Sequence, residues 1–154
     1  MPAKAEPAAR ARRPGAPLDD DDYATLAAFR HALRKFLTFS EAAAAEVGLT
    51  GQHYQAMLAV RAHPRSRQMT INELARQLLI KHNSAVGLVD RLADQDLLVR
   101  KASSDDRRKV ELQLTARGSR VLDRLADRHR AELEHSGPQL RQLLQHLAEA
   151  LDRR

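Results

Sequence analysis

Two adjacent arginines, Arg107 and Arg108, close the polar run Ser103-Ser104-Asp105-Asp106-Arg107-Arg108, which lies between two short segments of alternating hydrophobicity. Guanidinium groups at the tip of a hairpin suit phosphates or a narrow nucleic-acid groove, because each donates in a fixed fork to anionic oxygens. A second chemistry-bearing group precedes it in the chain. Asn83, Ser84, Val86, Gly87 and Asp90 share one side of a helical pattern whose other side is Ala85, Leu88, Val89 and Leu92. Asn and Ser donate and accept at base edges, Val offers a methyl contact to thymine, and Gly87 lets the backbone come close. Lys81 and His82, with the earlier Arg65, Arg67 and Gln68, are placed to hold phosphates, which sets register without reading sequence.

Catalytic chemistry finds no comparable grouping. Catalysis needs a nucleophile beside a base, paired carboxylates in a cleft, or a metal with an open position. The chain has no cysteine, and its seven histidines, His31, His53, His63, His82, His129, His135 and His146, include no pair three or four residues apart. There is no His-Glu-x-x-His motif and no phosphate-cradling glycine loop. The expectation is a protein without catalytic, metal or cofactor sites.

The elements that must position these groups follow from composition and period. With 154 residues, one domain is the expectation, and 43% hydrophobic, 3% aromatic and 30% charged residues favour helices with Ala and Leu cores. A net charge of +6 suits a polyanionic partner. No apolar run approaches the roughly 18 to 20 residues that cross a bilayer, and no secretory apolar segment opens the chain, so a cytoplasmic protein without a membrane partner is expected.

Residues 1–18 hold Pro2, Pro7, Pro14 and Pro17 among Ala and basic residues and read as a disordered basic arm. Residues 19–63 carry two helices. The first opens on Asp19 to Asp22, carries Leu26, Phe29, Leu33, Phe36 and Leu37 on one face, and stops at Gly48; the second is capped by Thr50 and ends at His63-Pro64. Residues 64–115 begin with the capping box Thr70-Ile71-Asn72-Glu73, whose helix carries Leu74, Ala75, Leu78 and Leu79 inward to about Ile80. The next helix is capped by Asn83 or Ser84 and runs to about Ala93. Leu97 and Val99, then Val110, Leu112 and Leu114, alternate as two strands. Residues 116–154 hold a helix capped by Thr115 that stops near Gly137-Pro138, and a last helix with Leu140, Leu143, Leu144, Leu147 and Leu151. The fold class is mainly α with a small two-stranded β-wing: a winged helix-turn-helix domain plus terminal helices. Those terminal stripes exceed what one small winged domain covers, which points to helix-mediated homodimerisation.

The stretch from Asn72-Glu73-Leu74-Ala75 through Asn83 to Leu92, then Asp106-Arg107-Arg108 and Leu114-Thr115-x-x-Gly118, resembles the MarR family of bacterial transcriptional regulators over residues 23 to 152. The resemblance implies a triangular homodimer presenting two winged domains to a pseudo-palindromic duplex of double-stranded DNA. It implies that Arg108 enters the minor groove with Asp106 orienting it, and that Arg91 pairs with the wing acid; an ion pair that only holds the wing serves equally. Asp96 stands where the family usually has Gly, and because Asp tolerates the left-handed backbone, modest strain and an intact fold are expected there.

The family's effector pocket lies between the first two helices and the DNA-binding lobe. His31, Arg34, His53, Tyr54 and Met57 are the candidate lining, with Arg61 and His63 next, and cationic beside apolar groups favour a small aromatic carboxylate effector. Phe36 to Pro64 is similar in general character to repressors answering to hydroxynicotinate. The expected function is a ligand-responsive dimeric repressor released from its operator by such an acid; the alternative is a non-specific architectural DNA-binding protein.

Overall fold

A computed structural model describes residues 17–64, 67, 69–102 and 110–152. Among them the elements run α1 (Asp20–Ala45), α2 (Gly51–Ala62), α3 (Ile71–Gln77), α4 (His82–Asp94), β1 (Leu98–Ala102), β2 (Val110–Leu114) and α5 (Ala116–Asp152). The fold is mostly helical with one two-stranded antiparallel sheet, as expected. The chain divides into two compact units, Leu37–Leu133 and the flanking Met1–Phe36 with Glu134–Arg154. The basic arm, apart from Pro17 and Leu18, lies outside the described residues.

In the flanking unit, α1 starts on reciprocal aspartate caps. The Asp22 N–H donates to Asp19 Oδ1 at 2.9 Å and the Asp19 N–H donates to Asp22 Oδ2 at 3.2 Å. Carboxylates at this end also face the positive pole of the helix. Tyr23, Leu33 and Leu144 remain exposed in this unit. The expected stop at Gly137-Pro138 is corrected: α5 is one 37-residue helix with Pro138 inside it. Pro138 removes one helical hydrogen bond and crowds the carbonyl one turn back, a cost that the Leu, Ala, Arg, Glu and Gln residues of the wider flanks, strong helix formers, offset so that the helix runs across.

The Leu37–Leu133 unit holds the core. Met57, Leu74, Leu88, Leu92, Leu98, Leu112 and Leu125 are fully buried, each such side chain contributing roughly 1.5 to 3 kcal/mol of transfer free energy. Gly48, at φ 76°, turns the chain out of α1. Thr50 caps α2 by accepting from the His53 N–H at 3.3 Å, while His53 Nδ1 accepts from the Thr50 N–H at 3.0 Å, so an imidazole takes the place of the usual Glu in a capping box. Thr70 caps α3 through the Glu73 N–H at 3.2 Å.

Two local expectations need correction. Leu79 does not point inward; α3 ends at Gln77, the backbone reverses hand at Leu79 (φ 54°), and that side chain is 92% exposed while Leu78 and Ile80 pack on the core. Neither Asn83 nor Ser84 caps α4. Lys81 is the N-cap, without a side-chain bond, because the turn after Leu79 starts the helix at His82.

At its other end α4 closes with the Asp96 N–H donating to Ala93 O and the Leu97 N–H to Leu92 O, both at 2.9 Å. Asp96 is left-handed at φ 56°, the expected local strain within an intact fold. Leu97 and Leu98 are both buried and exposure then rises along β1 to Arg100, Lys101 and Ala102, so the alternation expected from Leu97 is not followed in this strand. In the sheet Leu98 faces Leu114, Arg100 faces Leu112 and Lys101 faces Glu111. Among the described residues no helix is long and apolar enough to cross a membrane.

Candidate nucleic-acid interface

The two sides of α4 differ as the sequence predicts. Ala85, Leu88, Val89 and Leu92 are buried; Lys81, His82, Asn83, Ser84, Asp90 and Arg91 are exposed, with Val86 and Gly87 half-buried between them. Gly87 has open space around the position a Cβ would take. The side chains of Lys81, Asn83, Ser84 and Arg91 make no hydrogen bond or ion pair with other described residues, which leaves their donors toward an external acceptor. His82 is held by its neighbour helix: Nδ1 donates to Asn72 Oδ1 at 2.6 Å, because a side-chain carbonyl is an acceptor only, which leaves Nε2 for another contact.

Asp90 is already engaged. Arg100 of β1 donates to its Oδ1 at 2.6 Å, tying α4 to the base of the hairpin. Sequence reasoning missed Arg100 and Asn72. The Asp90–Arg100 pair depends on how β1 lies against the helix, and the ten-residue spacing of Asn72 and His82 carries no local signal. Arg67 is exposed. Arg65, Gln68, Asp106, Arg107 and Arg108 lie outside the described residues, and so does the Arg91–Asp106 pairing.

Where α4, β1 and α5 meet, Thr115 joins three segments. Its hydroxyl donates to Asp96 O at 2.6 Å and accepts from the Gly118 N–H at 2.8 Å, while its N–H donates to Leu97 O at 3.2 Å. Gly118 packs so closely on this junction that a Cβ would stand 1.9 Å from Leu97 O. The spacing Leu114-Thr115-x-x-Gly118 thus orients the second helix and the hairpin relative to each other.

The residues proposed to line an effector pocket are placed in different ways. His31 and Arg34 are exposed on α1 in the flanking unit. Met57 is fully buried in the core, and Tyr54 stacks on His129 at 4.1 Å between ring centroids, its hydroxyl pKa raised by burial. His53 caps α2 through Nδ1, so its ring hydrogen sits on Nε2, a buried atom without a hydrogen-bond partner among the described residues. Burial, and then the charge of Arg91, hold the His53 pKa below the usual imidazole value. His129, which the sequence did not single out, is buried; Nδ1 donates to Leu125 O at 2.7 Å and, in the neutral ring, Nε2 accepts from the Ser40 hydroxyl at 2.8 Å. Among the described residues no cluster of three or more His, Asp or Glu is arranged to hold a metal.

Residues 47–109 match the model of the MarR family. A curated relative, the HTH-type transcriptional regulator MhqR of Bacillus subtilis (strain 168), is 33% identical over 64 residues, 42% of this chain and 44% of the relative. The match therefore spans less than half the relative's length. Among solved structures, AbsC, a MarR family transcriptional regulator from Streptomyces coelicolor, is similar with a TM-score of 0.70 and 20% identity, covering 88% of this chain and 93% of that one. CouR from Rhodococcus jostii RHA1, bound to p-coumaroyl-CoA, is similar with a TM-score of 0.63 and 22% identity, covering 84% of this chain and 92% of that one. At these identities the structural likeness is one of fold.

Proposed function

We propose, from the match of residues 47–109 to the model of the MarR family, that the protein is a DNA-binding transcriptional regulator, acting as a homodimer and as a repressor that a small aromatic carboxylate releases from a pseudo-palindromic operator. The observation that carries the DNA-binding reading is α4. One side is built into the core, and the other presents the side chains of Lys81, Asn83, Ser84 and Arg91 without partners among the described residues, beside Gly87, where the backbone is open. That is the arrangement of a recognition helix that enters the major groove while the hairpin reaches the adjacent backbone or minor groove.

Dimerisation is supported by Tyr23, Leu33 and Leu144, large apolar side chains left exposed on the long helices. Two copies would then set their recognition helices against half-sites about 34 Å apart, so a ligand that changes that spacing by a few ångströms would release the duplex. Control by an aromatic acid is supported by a fold neighbour, CouR, that binds an aromatic acyl-CoA. Hydroxynicotinate is the first acid to test.

The test is a titration of the purified protein on the DNA upstream of its own gene against a scrambled duplex, at fixed salt, with and without aromatic acids. Tight binding to the first duplex only, released by one acid, is the expected result. Equal weak binding to both, indifferent to every acid, would replace this reading with a non-specific architectural role, for which the net charge of +6 suffices.

A further inference from the structure

On the outward side of α4, one polar group is held in place by another helix. His82, the first residue of α4, and Asn72, in the first turn of α3, are both exposed, and His82 Nδ1 donates to Asn72 Oδ1 at 2.6 Å. Neither side chain makes another hydrogen bond among the described residues. A side-chain carbonyl only accepts, so this bond fixes a ring hydrogen on Nδ1, and the neutral imidazole then shows a lone pair at Nε2. A phosphate oxygen is also only an acceptor. The two repel unless Nε2 gains a hydrogen, so the ring that meets a phosphate through Nε2 is the imidazolium, in which both nitrogens donate.

We propose that Asn72 is a positioning residue for DNA binding: by fixing Nδ1 as the donor it makes the contact of His82 with a phosphate depend on a proton, so that each α4 takes up one proton as it seats on the duplex. The inference rests on the reading above that α4 enters the major groove. The first turn of such a helix lies beside the phosphates that flank the groove, and the positive pole of the helix favours an anion there. The bound ring needs its proton. Its contribution to affinity is therefore full at low pH and is lost as pH rises through the range in which imidazoles titrate, about 5 to 8. Each imidazolium set on a phosphate also releases counterions and steepens the salt dependence of binding.

The charged groups of the elements packed on α4 leave this role to an external anion. On α3 they are Glu73 and Arg76, which bond each other, Glu73 also accepting from Gln77. On β1, Arg100 is bonded to Asp90 and Lys101 stands opposite Glu111. On α2, His53 is bonded to Thr50, and Arg61 lies in the last turn. Lys81 is adjacent to His82, and the first carboxylate of α4, Asp90, lies about 12 Å further along the helix. None of these groups bonds His82, whose Nε2 has no acceptor among the described residues.

The experiment is fluorescence anisotropy on the full chain with the duplex upstream of its own gene and the scrambled duplex, from pH 6.0 to 8.0, for the wild type, His82→Gln and Asn72→Ala. Both substitutions are at exposed positions, and circular dichroism checks that each variant folds. At fixed salt, wild-type affinity for the first duplex should rise about tenfold or more from pH 8.0 to pH 6.0. Its salt slope should be steeper at pH 6.0 by about 0.9 for each ring engaged. His82→Gln, whose amide donates to a phosphate at either pH, should rise no more than about threefold, with an unchanged slope. Asn72→Ala frees the ring to carry its hydrogen on Nε2, so its profile should flatten toward that of His82→Gln, which the loss of a merely structural bond would not cause. A wild type with the pH profile of His82→Gln would overturn the proposal, and so would an Asn72→Ala protein that keeps the wild-type profile. In either case, preference for the first duplex would leave the DNA-binding reading standing. No preference for it at any pH would overturn that reading and this inference with it.

Discussion

Replacing Gly118 with Ala should destabilise the protein markedly, although Ala is the better helix former. An ideal Cβ at this position lies 1.9 Å from Leu97 O, 2.8 Å from Leu97 C and 3.2 Å from Leu97 Cα. Carbon and its neighbours sit comfortably at about 3.5 to 4.0 Å, so the first of these contacts is short by roughly 1.5 Å. The obstacle is backbone, and it cannot swing aside as a side chain would. Leu97 O is also the acceptor of the Thr115 N–H, and Thr115 holds Asp96 O and the Gly118 N–H through its hydroxyl. Overpacking of about 1 to 3 kcal/mol and a disturbed hydrogen bond of about 1 kcal/mol exceed the helix-propensity gain of at most about 1 kcal/mol. The net loss is roughly 1 to 3 kcal/mol, which at this size lowers Tm by about 2 to 12 °C. Thermal unfolding followed by circular dichroism, at matched protein concentration because the proposed dimer would make Tm concentration-dependent, measures it. Gly87→Ala is the control: with open space at its Cβ it should raise Tm by about 1 to 4 °C, through a gain of about 0.5 to 1 kcal/mol, while weakening DNA binding if the duplex backbone approaches there. A Gly118→Ala protein that melts at or above the wild type would refute the packing argument.

Arg108→Ala should weaken specific DNA binding by roughly 1 to 3 kcal/mol and leave the oligomer intact, as read by fluorescence anisotropy and sedimentation; unchanged affinity would remove the wing tip from the interface. Asn83→Ala should relax base preference at one position of the site in a binding-selection assay, whereas Arg67→Ala should weaken all sequences alike and reduce the salt slope by about 1. His53 has a lowered pKa in the fold, so the unfolded chain takes up its proton first on acidification. Its contribution to stability is therefore full above the unfolded value near 6.5 and is lost as pH falls through the lower folded value. His53→Gln, which keeps an acceptor for the Thr50 N–H, should show a shallower drop in Tm between pH 7.5 and 5, and an unchanged drop would locate the sensitivity elsewhere. Leu79→Gly should raise Tm slightly, because about 1 kcal/mol of left-handed strain at an exposed residue outweighs the extra freedom of Gly in the unfolded chain; a lower Tm would show that Leu79 makes a contact worth more than its strain.

What the amino-acid order determined by itself is local and periodic. The caps at Thr50, Thr70 and Thr115 were legible because a hydroxyl at an N-cap meets a backbone N–H three residues on, whatever the rest of the fold does. The buried stripe of α4 follows from its 3.6-residue period, and the side left over marks the candidate recognition surface in the sequence itself. Helix punctuation was less reliable. Gly137-Pro138 looks like a stop and is not, since the lost hydrogen bond and ring crowding at one position are outweighed by strong helix formers along both flanks, and the reversal at Leu79 turns outward a side chain that the period alone places inward. Contacts between elements were decided only in three dimensions. Asp90 meets Arg100, Asn72 meets His82, and His129 meets Ser40 and Tyr54 because packed elements bring together residues separated by 10, 10, 89 and 75 positions, a proximity no spacing rule encodes. The same holds for Gly118: the sequence marks the position, but the need for a missing Cβ comes from the Leu97 carbonyl that the returning chain places against it.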